Sequence, residues 1–261
     1  MNKNELTLAL VQADLKWEDQ KANLLHFEEL LGQLDQNIDL LILPEMFTTG
    51  FSMNAESLAE PEPGPSLLWM QQQAASLDAA VTGSLIIKEG KTFHNRLYMV
   101  YPDGSYGHYD KRHTFTLANE HLTYQRGTSR TTMEWRGWTI FPLICYDLRF
   151  PVWARNDQDY DLLIYVANWP EKRVAAWDAL LRARAIENMA YCAGVNRVGL
   201  DGNGFPYVGH SAVYDMLGET MLDFPEKQEG VACVTLHKDR MLSTRSHLQF
   251  LQDRDDFNLE V

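Results

Sequence analysis

Four side chains that could do chemistry follow directly after predicted strands of this 261-residue chain. They are Glu45 after residues 40–44, Lys111 after residues 106–110, Cys145 after residues 140–144 and Asn168 after residues 162–167. Ligands of α/β proteins bind beyond the carboxyl ends of the strands. We therefore expect a carboxylate, an amine, a thiol and an amide to meet in one pocket.

Cys145 is the candidate nucleophile. Most free cysteines are small buried hydrophobes, and we interpret Cys192, in a predicted helix, and Cys233, in a predicted strand, in that way. Cys145 instead ends a predicted strand and precedes residues 146–149. A strand-to-helix turn there would expose the sulfur and direct backbone N–H groups at an oxyanion. Taken alone, this context leaves the nucleophile and the buried thiol equally open.

Glu45 is the candidate general base, because the residues before it are apolar. Burial raises the pKa of a carboxylate and makes it a better base near neutral pH, although a surface carboxylate at a strand end is the alternative. Lys111 and Glu120 are less informative, since both lie in a polar segment where charged side chains are usually solvated. Local sequence alone assigns neither of them a function.

The eight histidines form no pattern of metal ligands. The chain lacks His-Glu-x-x-His, and His113 and His121 do not have the spacing of paired helical ligands. No glycine-rich phosphate-binding loop follows a strand, and residues 202–204 are predicted to form a turn. We therefore predict a reaction that needs no metal and no organic cofactor.

The composition narrows the class of protein. A formal net charge of −13 disfavours binding to nucleic acid or to an anionic membrane. No segment reaches the ~20 apolar residues of a membrane span, and the N-terminus predicts a strand rather than a signal peptide. Three cysteines, far apart and odd in number, indicate reduced thiols and a cytoplasmic protein.

The elements that must position these side chains alternate between strand and helix in the first half of the chain, and the second half is rich in strands. Helices are predicted over residues 24–34, 66–77 and 175–191, and a functional loop over residues 111–127. Strands are predicted over residues 6–11, 39–43, 80–88, 93–101, 105–109, 131–135, 138–144, 162–167, 195–200, 211–214, 221–224 and 231–236. One α/β domain over residues 1–261, with a C-terminal arm, is the simplest architecture.

Five segments, in order along the chain, resemble the nitrilase superfamily of carbon–nitrogen hydrolases. They are residues 41–47 (LILPEMF), 109–113 (YDKRH), 144–151 (ICYDLRFP), 167–170 (ANWP) and 182–188 (RARAIEN). Each segment alone is weakly specific, but all five in this order are highly specific, and the match covers nearly the whole chain. The resemblance implies a four-layer α-β-β-α sandwich whose subunits form a homodimer or a larger homo-oligomer.

The same resemblance implies functions for four residues. Glu45, Lys111 and Cys145 match the Glu–Lys–Cys triad of the superfamily. Glu120 matches a second glutamate, which orients the lysine and helps to move protons. The expected partner of such a site is a small-molecule amide.

Two further residues belong to the predicted site. Tyr146 follows the cysteine, and its backbone N–H would share the oxyanion with Lys111. Asn168 ends a predicted strand and would lie in the substrate pocket.

Within the superfamily, residues 44–51 and 145–150 look most like those of omega-amidases, which hydrolyse the terminal amide of 2-oxoglutaramate and 2-oxosuccinamate. True nitrilases usually have Trp-Glu after the cysteine, whereas Tyr146 and Asp147 follow it here. An omega-amidase substrate carries a carboxylate at its far end, and Arg149 and Arg173 are the candidate cations for it, with structural ion pairs as the alternative. The competing functions are a carbamoylase, an aliphatic amidase, a nitrilase and a non-catalytic binding or scaffold protein.

Overall fold

The computed structural model describes residues 2–261 and contains two six-stranded sheets. The strands are β1 (Glu5–Gln12), β2 (Leu40–Ile42), β3 (Ala80–Glu89), β4 (Thr92–Val100), β5 (Tyr106–Asp110), β6 (Met133–Trp135), β7 (Trp138–Ile144), β8 (Leu162–Ala167), β9 (Tyr191–Asn196), β10 (Val198–Leu200), β11 (Pro206–Val208), β12 (Ala212–Tyr214), β13 (Thr220–Asp223) and β14 (Gly230–His237). The helices are α1 (Gln20–Leu31), α2 (Ala55–Leu58), α3 (Pro65–Leu77), α4 (Glu120–Thr123), α5 (Pro151–Ala154), α6 (Val174–Asn188) and α7 (Lys238–Leu248). Short 3₁₀ helices occur at Thr116–Ala118, Cys145–Arg149, Glu171–Arg173 and Phe250–Asp253.

The strand directions bring several carboxyl ends to one edge of each sheet. The first sheet has the order β14-β1-β2-β3-β4-β5 and the second the order β13-β12-β9-β8-β7-β6. Strands β1, β2 and β3 are parallel, as are β7, β8 and β9. Strand β5 is antiparallel to β4, which is antiparallel to β3, so β5 runs in the same direction as β2. The last strand, β14, pairs with β1 and returns the chain to the first sheet.

Apolar side chains from both sheets fill the space between them. Leu8 and Leu10 of β1 belong to the same buried cluster as Trp138 and Ile140 of β7. Helices α1 and α3 cover the outer face of the first sheet, and α6 covers that of the second. The predicted four-layer α-β-β-α sandwich is confirmed.

Helix α6 lies unusually close to the second sheet at Gly194 of β9. A Cβ atom on Gly194 would lie 2.4 Å from Cδ1 of Leu181 and 2.8 Å from the ring of Trp177. A contact under 3 Å is well inside van der Waals separation, so this position requires glycine.

The predicted helix over residues 175–191 is wrong at its C-terminal end. Helix α6 ends at Asn188 because Met189 adopts a left-handed conformation with φ of 47°, and β9 begins at Tyr191. Cys192 therefore lies in the buried strand β9, so the prediction that it lies in a helix is wrong. Cys233 lies in β14, and the prediction of a strand there is confirmed.

Two other predictions need adjustment. The strand predicted over residues 195–200 is divided between β9 and β10. The predicted loop over residues 111–127 contains a 3₁₀ turn and α4.

None of the helices within residues 2–261 is long and apolar enough to cross a membrane. The single domain and the homo-oligomer stay predictions.

Candidate active site

Four strand ends meet where the two sheets face each other. In the first sheet, β2 leads to Glu45 and β5 leads to Lys111; in the second, β7 leads to Cys145 and β8 leads to Asn168. Nζ of Lys111 donates to Oε1 of Glu45 at 2.7 Å. The backbone N–H of Asn168 donates to Oε2 of Glu45 at 2.8 Å, so this carboxylate is bound from both sheets.

Lys111 lies between two buried carboxylates. Besides Glu45, its Nζ donates to Oε1 of Glu120 at 2.9 Å. The other oxygen of Glu120 accepts from the backbone N–H of Phe115, which folds the segment after Lys111 back onto the site. Asn95 of β4 donates to Oε1 of Glu45 at 2.8 Å. The chain between Lys111 and Glu120 is therefore long enough to fold back and bring the Glu120 carboxylate into contact with Nζ of Lys111.

Burial and mutual charge shift the protonation of these groups. Burial alone would lower the pKa of Lys111, but the carboxylates of Glu120 and Glu45 raise it above its ordinary value. Burial raises the pKa of Glu120, and Glu45 adds to this while Lys111 opposes it. Burial and the negative charge of Glu45 raise the pKa of the Cys145 thiol well above its ordinary value, against the effect of Lys111. Near neutral pH the site therefore holds a charged amine and a neutral thiol.

Cys145 occupies a sharp turn between β7 and the 3₁₀ helix that it begins. Its φ is 44°, a left-handed value that is uncommon for residues other than glycine. Its side chain is largely buried, and Sγ lies 3.9 Å from the carbonyl oxygen of Asn168. The predicted strand-to-helix turn is present, and it directs the sulfur into a cavity.

A cavity of about 540 Å³ opens above the sulfur, a size typical of small-molecule sites. The predicted residues Tyr146, Arg149, Asn168 and Arg173 line it together with Lys111 and Cys145. Glu45 and Glu120 do not line it and are fully buried. Most of the remaining wall is apolar, from Trp17, Phe51, Met53, Phe115, Leu117, Trp169, Phe205 and Tyr207. Within residues 2–261, no three His, Cys, Asp or Glu side chains are grouped as ligands of a metal ion.

Sequence reasoning missed two parts of this site. Asn95, which holds Glu45, could have been found because residues 94–96 are polar within the otherwise apolar strand β4. The walls from residue 17 and from residues 201–207 carry no such signal. Those residues are distant in sequence from Cys145, so only the packing of the sheets brings them there.

The family model for carbon-nitrogen hydrolases matches residues 7–246 of the chain. The chain belongs to the carbon–nitrogen hydrolase family. This carbon–nitrogen hydrolase is 46% identical to Omega-amidase YafV of Yersinia enterocolitica, over 97% of this chain and 98% of that protein. It is 28% identical to the 2-oxoglutaramate amidase of Bacillus subtilis, over 95% of this chain and 96% of that protein. The chain is thus an amidase of the nitrilase superfamily that is similar to omega-amidases.

Solved structures agree with the family and the fold. The carbon–nitrogen hydrolase superimposes on XC1258 of Xanthomonas campestris, a CN-hydrolase superfamily protein with an arsenic adduct in its active site, with a TM-score of 0.96. The two are 44% identical, and the match covers 99% of this chain and 100% of the other. Nit3 of Saccharomyces cerevisiae, a nitrilase-superfamily member that is 23% identical, has the same fold with a TM-score of 0.84.

Proposed function

We propose that this enzyme hydrolyses the terminal amide of a small dicarboxylic acid monoamide, with 2-oxoglutaramate and 2-oxosuccinamate as substrates. The names of its relatives support an amide of this kind. The observation that carries the proposal is that two arginines, Arg149 and Arg173, line the same cavity as Cys145. They are suited to a substrate carboxylate for the following reasons.

Arg149 and Arg173 differ from the other arginines of the chain. Every other arginine within residues 2–261 donates at least one side-chain hydrogen bond to the protein. To other groups of the same residues these two donate none, and neither pairs with a carboxylate there. Aromatic rings support them instead, with Cζ of Arg149 4.9 Å from the ring centre of Trp169 and Cζ of Arg173 5.1 Å from that of Phe115. In the part of the chain that the structure describes, the two arginines therefore form none of the ion pairs that were the alternative.

A guanidinium on an aromatic face keeps its N–H donors available for a ligand. The matching ligand is a carboxylate, which can accept two parallel hydrogen bonds from one guanidinium. A second arginine in the same cavity favours a substrate that has another acceptor besides its carboxylate, such as a 2-oxo group. It disfavours an α-ammonium group, because two positive charges would lie close together.

The reaction begins with the buried thiol, whose raised pKa means that a base must take its proton. We assign this function to Glu45. The proton moves from Sγ of Cys145 to the Glu45 carboxylate as the sulfur bonds to the amide carbon. The resulting oxyanion would be stabilised by Nζ of Lys111 and the backbone N–H of Tyr146.

The intermediate collapses to a thioester when its carbon–nitrogen bond breaks. Glu45 passes its proton to the departing nitrogen, which leaves as ammonia. A water molecule then loses a proton to Glu45, and its oxygen bonds to the thioester carbon. The carbon–sulfur bond breaks, the carboxylic acid is released, and the proton on Glu45 returns to the sulfur to restore the thiol of Cys145. Glu120 holds Lys111 at the oxyanion throughout, and Asn168 holds the Glu45 carboxylate.

Replacing Cys145 with Ala tests the nucleophile. We expect ammonia release from 2-oxoglutaramate to be abolished, and normal turnover in this variant would refute the assignment.

Three amides of equal chain length test the arginines: 2-oxoglutaramate, glutaramate and pentanamide. Arg173→Ala should raise KM for 2-oxoglutaramate and glutaramate, which carry a carboxylate, and leave KM for pentanamide unchanged. Arg182→Ala, which loses a surface contact to Gly218, is the matched control. An equal effect of Arg173→Ala on all three amides would remove Arg173 from specificity. Adding nitriles and carbamoyl amino acids to the panel separates the competing hydrolase activities.

A further inference from the structure

Asp147 is a fully buried carboxylate that no lysine or arginine of residues 2–261 neutralises. Its Oδ2 accepts from the backbone N–H of Ile144 at 3.1 Å and from the hydroxyl of Tyr109 at 2.8 Å. Its Oδ1 accepts from the backbone N–H of His113 at 2.9 Å and from Nδ1 of the same residue at 2.8 Å. One carboxylate therefore receives four hydrogen bonds from two segments that are distant in sequence.

These two segments carry the thiol and the ammonium group of the site. Ile144 directly precedes Cys145, and Tyr109 and His113 lie two residues before and two residues after Lys111. Ile144 ends β7 of the second sheet, whereas Tyr109 lies in β5 of the first sheet. Asp147 thus connects the two sheets next to Cys145 and Lys111, where the packing of the sheets sets the distance between the sulfur and the ammonium group.

The donors around Asp147 are fixed in direction. The Tyr109 hydroxyl accepts from Nε1 of Trp153 at 3.0 Å and from the backbone N–H of Arg112 at 3.2 Å. With both lone pairs used, it can direct its own proton only at Asp147. Nδ1 of His113 must also carry a proton, because a carboxylate oxygen only accepts. All four contacts consequently need an acceptor at both oxygens, which a carboxylate offers and an amide does not.

The backbone of Cys145 needs external support. Its left-handed φ of 44° is a conformation that persists in such residues only where the surrounding structure fixes it. The hydrogen bond from Ile144 to Asp147 holds the entrance to this turn. At its exit, the ring of Phe150 stacks on that of His113 at 3.7 Å, and His113 is itself bound to Asp147.

We propose that Asp147 is a positioning residue that sets the thiol of Cys145 against the ammonium group of Lys111. The inference rests on the proposed nucleophile. Asp147 does not line the cavity, so it acts through these two residues and does not touch substrate. A carboxylate that only capped the short helix would change stability and leave the folded enzyme fully active.

The test is Asp147→Asn, which keeps the shape but places an NH₂ group against two of the donors. We expect kcat to fall about 10²-fold, as for reacting groups displaced by about 1 Å, with little change in KM. Alkylation of Cys145 by iodoacetamide, followed by mass spectrometry, should slow as well.

The matched control is Asp215→Asn, which changes a fully buried carboxylate that does not line the cavity. Asp215 accepts from the backbone N–H groups of Leu217 and Glu219 and from Arg240, at 2.9, 3.0 and 2.7 Å. This variant should unfold at a lower temperature but keep wild-type kcat and alkylation. If it lost kcat and thiol reactivity to the same extent, the effect at Asp147 would be general destabilisation and the proposal would be overturned.

A folded Asp147→Asn enzyme with wild-type kcat and wild-type alkylation would also overturn the proposal. If that variant does not fold, Tyr109→Phe replaces it, because it removes one donor and retains the buried ring. Lower kcat and slower alkylation are expected there too, and wild-type values of both would again overturn the proposal. Alkylation needs no substrate, so a wrong substrate assignment can be distinguished from a wrong assignment of Asp147. A wrong substrate assignment would appear in the Cys145→Ala and amide experiments, whatever the Asp147 variants do.

Discussion

Replacing Lys111 with Met removes a cation that lies between two buried carboxylates and keeps a side chain of similar length. Nζ of Lys111 lies 2.7 Å from Glu45 and 2.9 Å from Glu120, and all three side chains are almost completely buried. Without the ammonium group, the two carboxylates would repel each other and one of them would take up a proton. The variant should therefore lose the proposed oxyanion donor and part of its stability.

The size of both effects follows from this geometry. Loss of one oxyanion donor lowers kcat by about 10²–10³, or about 2.7–4 kcal/mol. Removing one partner of a buried ion pair lowers the free energy of unfolding by about 3–5 kcal/mol. Since 1 kcal/mol shifts the Tm of a chain of this size by about 2–4 °C, we expect Tm to fall by about 6–20 °C.

Ammonia release from 2-oxoglutaramate measures kcat and KM, and thermal unfolding by circular dichroism measures Tm. Lys238→Met is the control, because Lys238 binds the buried Asp161 at 2.7 Å and does not line the cavity. It should lower Tm and keep kcat. A Lys111→Met enzyme whose kcat is within a few-fold of wild type would refute the assignment of Lys111 to the oxyanion.

Three further predictions concern single positions. The pKa of the Cys145 thiol is raised in the folded state, so the folded protein favours the protonated thiol. The stability that the thiol contributes is complete below about pH 8.5, the pKa of a thiol in the unfolded chain, and is lost as the pH rises above that value. Urea unfolding should then show wild type losing more stability than Cys145→Ala between pH 8 and pH 10, and equal losses would contradict this. Glu120→Gln keeps an acceptor for Lys111 but sets an NH₂ group against a backbone N–H, so kcat should fall at least about tenfold at unchanged KM; unchanged kcat would exclude Glu120 from orienting the lysine. Gly194→Ala should lower stability by about 1–3 kcal/mol, because its Cβ would meet Leu181, and a variant as stable as wild type in thermal unfolding would show that α6 can move aside.

The sequence predicts the position of a reactive side chain where a strand leads directly to it. Glu45, Lys111, Cys145 and Asn168 all follow strands, and strand direction brings such ends together. Glu120 was expected only from the resemblance, since nothing in its local sequence distinguishes it from a solvated carboxylate. Its contact with Lys111 depends on how the intervening segment folds back.

The C-terminal end of α6 shows why other features could not be predicted. Residues 190–193 are apolar and fit a buried helix as well as a buried strand. The helix ends at Asn188, and the next residue, Met189, adopts a left-handed conformation that is more often signalled by a glycine. The function of Asp147 was equally hidden, because its four donors come from segments about 35 residues apart that only the packing of the two sheets brings together.

The division of the site between two sheets has a consequence for how activity is acquired during refolding. Glu45 and Lys111 come from the first sheet and Cys145 and Asn168 from the second, so neither sheet alone holds a working set of groups. The first sheet is complete only after β14, near the C-terminus, has paired with β1. Recovery of amidase activity should therefore lag behind recovery of strand content, and catalysis would serve as an assay for the docking of the two sheets.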